Sequence, residues 1–324
     1  MSGGRRVLVS GMGSELGSLI ATLLEKERWT GEITGLDIDP PRRRLRSATF
    51  HRVEPRDRRK MVRIVRDFDP HVVVHAAVWE PNARAHPGDA AEWTHSAAIG
   101  VLGAAAECPS LEHVVVRSGI SVYGRRRGAA TRPDESVPPD PTAAFGRSLL
   151  ETEEIGRQAA AAAEVSLTAV RLAPVVGPHV PSPLGRLLRL PVVPTSLLAD
   201  PAFSVIDDQD AATAVVAAAA RRFDGPVNVV SPGAVTASQA VRIGGRVALP
   251  LIGPEWRIAR LVTSAFGAPI PEHIHELLHR GRTADGALAA EALGFTPRLS
   301  TRAVVQALYE WATVIHLRPS ELAA

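Results

Sequence analysis

The amino-terminal stretch constrains the fold more than any other part of the chain. Val7-Leu8-Val9-Ser10 is a short apolar run that leads directly into Gly11-Met12-Gly13-Ser14-Glu15-Leu16-Gly17, and an apolar helical stretch over residues 19–24 follows. A buried strand, a glycine-rich turn and a helix in that order predict the opening unit of a dinucleotide-binding fold. The turn lets backbone come close to a pyrophosphate, and the helix N-terminus faces its negative charge. The next predicted strand, residues 32–36, ends in Asp37, twenty residues after Gly17. A carboxylate there accepts hydrogen bonds from ribose hydroxyls, which favours NAD over NADP. Arg42, Arg43 and Arg44 follow closely and would suit a 2′-phosphate, in tension with Asp37.

Further apolar runs at 69–77 and 111–116 read as parallel strands covered on both faces, with helical stretches at 58–67, 89–107 and 148–163. Strand and helix alternate, which predicts an α/β chain: a Rossmann-type doubly wound parallel sheet with a smaller C-terminal substrate lobe. The expected division is residues 1–179 plus about 204–231 for the dinucleotide-binding domain. Residues from about 180–203 and 232–324 form the smaller substrate or partner lobe. Within that lobe Trp256, Ile258, Leu261, Val262 and Phe266 form an amphipathic stripe, expected to be core, with lipid association as a minor alternative.

The sequence resembles the extended short-chain dehydrogenases/reductases, the group that includes NAD-dependent sugar-nucleotide epimerases and dehydratases. The matching pieces, in order, are 10–17, Asp37, Val53-Glu54-Pro55-Arg56-Asp57, Val74-His75-Ala76-Ala77, Ser118-Gly119-Ile120-Ser121-Val122-Tyr123-Gly124, Phe145-Gly146-Arg147-Ser148, 170–178, 203–208 and 225–230. The resemblance implies a cofactor site at Gly11, Ser14, Glu15, Leu16, Gly17, Asp37, Glu54, Pro55, Ala76, Ala77 and Ser118. It implies a substrate pocket at Val78, Ser121, Tyr123 and Pro174.

Catalysis in the group rests on a Tyr, a Lys four residues later and a Ser or Thr before the Val-Tyr-Gly. The matching positions here hold Phe145, Leu149 and Gly119. The chain has only Lys26 and Lys60, and only Tyr123 and Tyr309, so no Tyr-x-x-x-Lys exists in it. Phe and Leu do not titrate, and a general base must. A self-contained Tyr-Lys mechanism is therefore excluded. Other positions have changed as well. Ser14 stands at the group's middle glycine, and Glu15 brings a carboxylate to the helix N-terminus, where it would oppose a pyrophosphate unless it turns to solvent. Pro174 and Ala97 replace asparagines.

Two readings of function follow. In one, the chain is a dinucleotide- or ligand-binding sensor or scaffold that works with a protein partner. In the other, it is an oxidoreductase, epimerase or dehydratase acting on a nucleotide sugar or related hydroxy or keto substrate, with acid/base groups relocated to His75, His95, Asp89 or Arg117. His75 also reads as a structural histidine closing a strand. A small-molecule ligand is expected in the cleft between the lobes.

With 45% hydrophobic and 22% charged residues the chain has the composition of a folded body. Histidines without metal-ligand spacing imply no metal site. The single Cys108, with neither a leader nor a membrane-spanning apolar run, makes the cytoplasm the expected compartment. Eleven Arg and Lys fall between Arg42 and Arg66, against Glu54 and Asp57. They read as a solvated face, with nucleic acid or an anionic membrane as minor alternatives. The Ala-rich helices at 90–107 and 148–163 suit a homodimer contact.

Overall fold

The computed structural model describes residues 4–82, 85–177 and 179–310, so Pro178 of the matched 170–178 piece lies outside the described residues. The chain begins with β1 (Arg5–Ser10), α1 (Glu15–Leu24), β2 (Thr30–Asp37), β3 (Thr49–Arg52), α2 (Arg58–Phe68), β4 (Val72–His75), α3 (Pro87–Ala105), β5 (His113–Gly119), α4 (Ala144–Ala162) and β6 (Ser166–Leu172). It continues with β7 (Val175–Val176), α5 (Pro183–Leu188), β8 (Val192–Ser196), β9 (Ala202–Phe203), β10 (Ile206–Asp207), α6 (Asp208–Arg221) and β11 (Gly225–Val229). The last described elements are β12 (Val235–Thr236), α7 (Ala237–Ile243), β13 (Val247–Leu251), α8 (Glu255–Ala265), α9 (Glu272–Arg280), α10 (Ala287–Leu293) and α11 (Thr301–Glu310).

Seven strands form one sheet in the order β11-β6-β5-β4-β1-β2-β3, and every pairing in it is parallel. The direction of winding reverses between β1 and β4. This is the doubly wound arrangement, and it opens a crevice beyond the carboxyl ends of those strands. Both faces of the sheet are covered. Val7, Val9, Val72, Val74 and Val170 pack towards α1 and α6, while Leu8, Val73, Val114 and Val116 pack towards α2, α3 and α4. Successive strand residues point to opposite faces, so a sheet buried on both sides needs the continuous apolar runs seen in the sequence.

The turn after β1 explains the unusual placing of its glycines. A Cβ on Gly13 would lie 2.0 Å from the Asp39 carbonyl oxygen, and one on Gly17 would lie 2.0 Å from that of Gly11. Position 14 has room for a side chain and uses it. Ser14 caps α1, its hydroxyl donating to the Gly11 carbonyl (2.8 Å) and accepting from the Gly17 N–H (2.9 Å).

The smaller lobe has its own core, built from Leu184, Leu187, Leu188, Val193, Phe203, Trp256, Ile274, Leu277, Val305 and Leu308 among others. Two expectations for the lobe are corrected. Residues 284–295, assigned to it from sequence, pack instead on the large sheet, where Ala284, Ala289, Leu293 and Phe295 join the core under α6 and β11. The amphipathic stripe is not core as a whole. Trp256 is buried, but Ile258, Leu261, Val262 and Phe266 face outwards.

A buried charged cluster lies within the main domain. Arg171 on β6 makes two hydrogen bonds to Glu153 on α4 (2.9 and 2.7 Å) and donates to the Tyr123 hydroxyl (2.9 Å). Tyr123 in turn donates to the Asn228 side-chain oxygen (2.9 Å). Ser118 on β5 also donates to Glu153. Burial works against the charge on Arg171, but the Glu153 carboxylate and its hydrogen bonds outweigh it and hold the guanidinium pKa above its ordinary value. Removing one partner from such a buried pair strands the other. Glu153→Ala is expected to cost about 3–5 kcal/mol. Replacing both partners, as Glu153→Ala with Arg171→Met, should recover most of that loss, and denaturant titration of the three proteins checks it.

Candidate functional site

A cavity of about 360 Å³ lies at the crevice, between the turn after β1, the end of β2, the segment after β4 and the smaller lobe. Gly13, Ser14, Glu15, Leu16 and Asp37 line one side, Val78, Trp79, Glu80, Trp93 and Arg117 another, and Ser182 and Arg186 the side towards α5. Trp79 and Trp93 meet edge to face with centroids 6.1 Å apart. The Asp37 carboxylate ends β2 as the strand–turn–helix pattern requires, and it accepts the Gly13 N–H (2.8 Å) and the Ile38 N–H (2.6 Å). Burial raises its pKa, while these backbone donors pull the other way.

Glu15 does not turn to solvent. It is 7% exposed, and its Oε1 accepts from Nη2 (2.6 Å) and Nε (3.0 Å) of Arg43. The first turn of α1 thus holds a buried carboxylate whose charge is balanced by its own counter-ion. A second carboxylate is close by. Asp208, at the start of α6, has its pKa pushed up to about 6 by burial first, then by Asp207, with Glu15 adding to it.

Further in, a hollow of about 40 Å³ is lined by Glu80, Arg117, Ser118, Gly119, Ser121, Phe145, Leu149, Pro174, His273 and Arg282. It brings together the three positions matched to the catalytic side chains of the resembling group. Phe145 and Leu149 lie one turn apart on α4. A Cβ on Gly119 would meet Leu149 Cδ1 and the Leu172 carbonyl oxygen, each at 3.2 Å, so a side chain there needs Leu149 or the β6 backbone to give by a few tenths of an ångström. The Phe145 ring lies against the imidazole of His273 from α9 (centroids 4.6 Å apart), and His273 Nε2 pairs with Glu80 (2.9 Å). Arg117 interrupts the apolar run of β5 and donates to the Val78 carbonyl (3.2 Å). Burial lowers its pKa, with Glu80 opposing. Arg282 is 2% exposed and paired with Glu276.

Residues 7–192 match the family model described as "NAD dependent epimerase/dehydratase family". The chain belongs to this epimerase/dehydratase family. An uncharacterized protein of Mycobacterium tuberculosis is 27% identical over 308 residues, 91% of this chain and 81% of its own length. Among solved structures, UDP-glucose 4-epimerase from Thermotoga maritima superposes with a TM-score of 0.73 at 19% identity, over 94% of this chain and 97% of that one. MoeE5 in complex with UDP-glucuronic acid and NAD gives 0.74 at 24% identity, over 94% and 98%. UDP-glucose 4-epimerase from Brucella ovis in complex with NAD gives 0.72 at 18%, over 94% and 96%. These likenesses establish a shared fold across nearly the whole chain.

Against that epimerase/dehydratase fold, the residues singled out from sequence separate into groups. Ser14, Glu15, Leu16, Asp37 and Val78 face the larger cavity, and Ser118, Ser121 and Pro174 the inner hollow. Gly11, Gly17, Ala76 and Ala77 support the turn, a Cβ on Gly11 meeting the Ala76 and Ala77 backbone at 2.6 Å. Glu54 and Pro55 follow β3 and line neither space. Tyr123 is a correction: it is 6% exposed, held in the Arg171 cluster, and is not a pocket wall. His75 is fully buried with Nδ1 2.7 Å from Ser10 Oγ, and burial drives its pKa down to about 3. His95, on α3, lies 2.9 Å from Glu151 of α4, outside both spaces, as is Asp89. Of the four relocated candidates only Arg117 reaches the site. The arginines of 42–66 are mostly exposed, with Arg56 paired to Glu92 and Arg66 to Glu107.

Glu80, His273 and Arg282 were not found from sequence. His273 is 193 residues from Glu80 and sits in the lobe with least motif content. The one available signal was Phe145 itself, since an aromatic ring without a hydroxyl at that position calls for a new neighbour. If Leu149 and Gly119 are coupled by packing, Gly119→Ser should cost about 1–2 kcal/mol in the wild type and less in a Leu149→Ala background. A double-mutant cycle by denaturant unfolding measures that coupling.

Proposed function

We propose that this chain binds NAD in the crevice and uses the bound state as its output, as a dinucleotide sensor or scaffold without Tyr-Lys proton transfer. The observation that carries the reading is the turn after β1 closed onto Asp37 at the mouth of a 360 Å³ cavity. The turn's close backbone approach is what a pyrophosphate requires, and Asp37 keeps acceptor capacity, because the backbone donors of Gly13, Ile38 and Asp39 use fewer than the four lone-pair positions of its carboxylate. Asp37 beside the ribose position disfavours a 2′-phosphate. The NAD held by MoeE5 and by the Brucella ovis enzyme supports the same choice. When bound, the nicotinamide supplies a hydride acceptor or donor.

A second reading is favoured by His273. Its imidazole lies against the ring at the family's tyrosine position, oriented by Glu80, with Arg117 lining the same hollow. In that reading His273 holds or releases a proton at a ligand hydroxyl, and the chain is an enzyme for a nucleotide sugar or a related hydroxy or keto compound. The two readings share the cofactor and differ in turnover.

Titration of the purified chain with NAD, NADH, NADP and NADPH tests the shared part. NAD or NADH should bind in the micromolar range, Asp37→Ala should weaken binding at least roughly tenfold, or about 1.4 kcal/mol, and no binding at millimolar concentration would overturn it. NADH formation with a panel of nucleotide sugars, abolished by His273→Gln while NAD still binds, would replace the sensor reading with the enzymatic one.

The Asp208 carboxyl gives the fold a pH signature. Its folded pKa, about 6, lies above the ordinary value of 3.8, so the protonated form is favoured by folding and the benefit is lost as pH rises through 6. Stability should therefore fall as pH rises from 5.5 to 7.5, and Asp208→Asn should flatten that dependence. The same variant should raise the melting temperature at pH 8 and change it little at pH 4.

A further inference from the structure

Among the described residues the strongly exposed large apolar side chains all fall between Val192 and Phe266, in one part of the smaller lobe. α8 is the centre of this surface. It buries Trp256 and Thr263, with Trp256 edge-on to His275 (5.2 Å) and His279 (4.5 Å) of α9. Its opposite side carries Ile258, Leu261, Val262 and Ala265, at i, i+3, i+4 and i+7, followed by Phe266. That is a second apolar stripe of helical period, and it faces outwards: Leu261 is 75% exposed and Phe266 74%.

Further exposed apolar side chains lie on the same lobe. The Leu197 N–H donates to the Leu251 carbonyl (3.1 Å), which sets Leu197 and Leu198 beside the end of β13, next to Ile252. β13 itself exposes Val247 and Leu249, and its parallel partner β8 exposes Val192. Monomeric proteins rarely leave so many large apolar side chains together in water without a binding role.

The charges around the surface select the occupant. Arg257 borders the stripe on α8, Arg260 stands further round the helix towards α9, and Arg242 and Arg246 stand at the β13 side, all exposed. The exposed acids nearby, Asp200 and Glu255, are already engaged with the backbone N–H groups of Ser238 and Ile252. A two-fold contact between copies would bring these four guanidinium groups together across an apolar face with only Asp200 and Glu255, each already holding one backbone N–H, to meet them. An anionic bilayer supplies dispersed negative charge and takes Leu, Ile and Phe side chains at the headgroup boundary. We propose that the outer face of α8, with the 197–198 loop and β13, docks this protein on an anionic lipid surface. Arg186, which lines the larger cavity, donates to the Gly267 carbonyl at the end of α8 (3.2 Å), so docking would set one wall of the crevice beside the lipid headgroups.

Co-sedimentation of the full chain with vesicles tests this. Phosphatidylcholine vesicles containing about 30% phosphatidylglycerol should retain the protein at low salt and release most of it at about 0.5 M salt, whereas pure phosphatidylcholine should retain little. Leu261→Glu with Phe266→Glu should weaken retention at least tenfold, and Arg257→Glu with Arg260→Glu severalfold. Both pairs are exposed, and an unchanged melting temperature verifies folding. Reversing Arg58, Arg59 and Arg63 on the basic face of α2 should leave retention unchanged. Three outcomes overturn the proposal: no retention by anionic vesicles, retention unaffected by the α8 variants, or a dimer in light scattering that the α8 variants dissociate, which would assign the face to a second copy.

Discussion

The close backbone contact between the turn after β1 and the end of β2 is the constraint on which the rest of the site depends. The Gly13 amide reaches the Asp37 carboxylate at 2.8 Å, and a side chain at position 13 would lie 2.0 Å from the Asp39 carbonyl oxygen. With the turn held there, α1 starts at the crevice and Ser14 closes its first turn. Glu15 is then carried into the protein, where it is found with Arg43. An ionised carboxylate so placed needs a counter-ion, which gives one arginine of the basic 42–66 segment a structural role. The other charges of that segment are set mostly in solvent.

A second constraint is the charged cluster behind the inner hollow. Arg171, Glu153, Tyr123, Asn228 and Ser118 tie β5, β6, β11 and α4 together through hydrogen bonds that leave few polar atoms unmet. Such a cluster adds little net stability over an apolar core of the same volume, which is often comparably stable, but it ties these four elements into one arrangement. It fixes where β5 ends, and so where Arg117, Ser118 and Gly119 stand. Tyr123 is committed to the cluster and unavailable to a ligand.

What the sequence revealed followed from local rules. β1, α1, β2, β4 and β5 were legible because a strand buried on both faces must be apolar throughout and a turn approached by backbone must be glycine. The site was legible where it depended on that same geometry, at Ser14, Asp37 and Val78, and at the three altered positions around Gly119. It was not legible where long-range packing decided the outcome. His273 meets Phe145 because α9 folds back over α4, and nothing in the spacing of either segment announces that contact. α8 was misread for a related reason. Helical periodicity identifies an apolar face but not which side the lobe will cover, and here the lobe covers the side with Trp256.

The larger cavity and the inner hollow have diverged in different ways. At the larger cavity the residues that differ from the resembling group are compensated: Ser14 by its capping bonds, Glu15 by Arg43. These changes leave a 360 Å³ space open. At the inner hollow the changes fill space, because Leu149 occupies the volume beside Gly119 and Phe145 is packed against His273. Three altered side chains there amount to one packing event, in which glycine makes room for leucine and phenylalanine exchanges a hydroxyl for an imidazole face. The cost of reversing any one of them alone is set by its neighbours. The cavity at the turn and the altered Tyr-Lys positions are thus physically separate in this chain, since among the described residues their linings share Arg117, Glu80 and Val175 along one boundary.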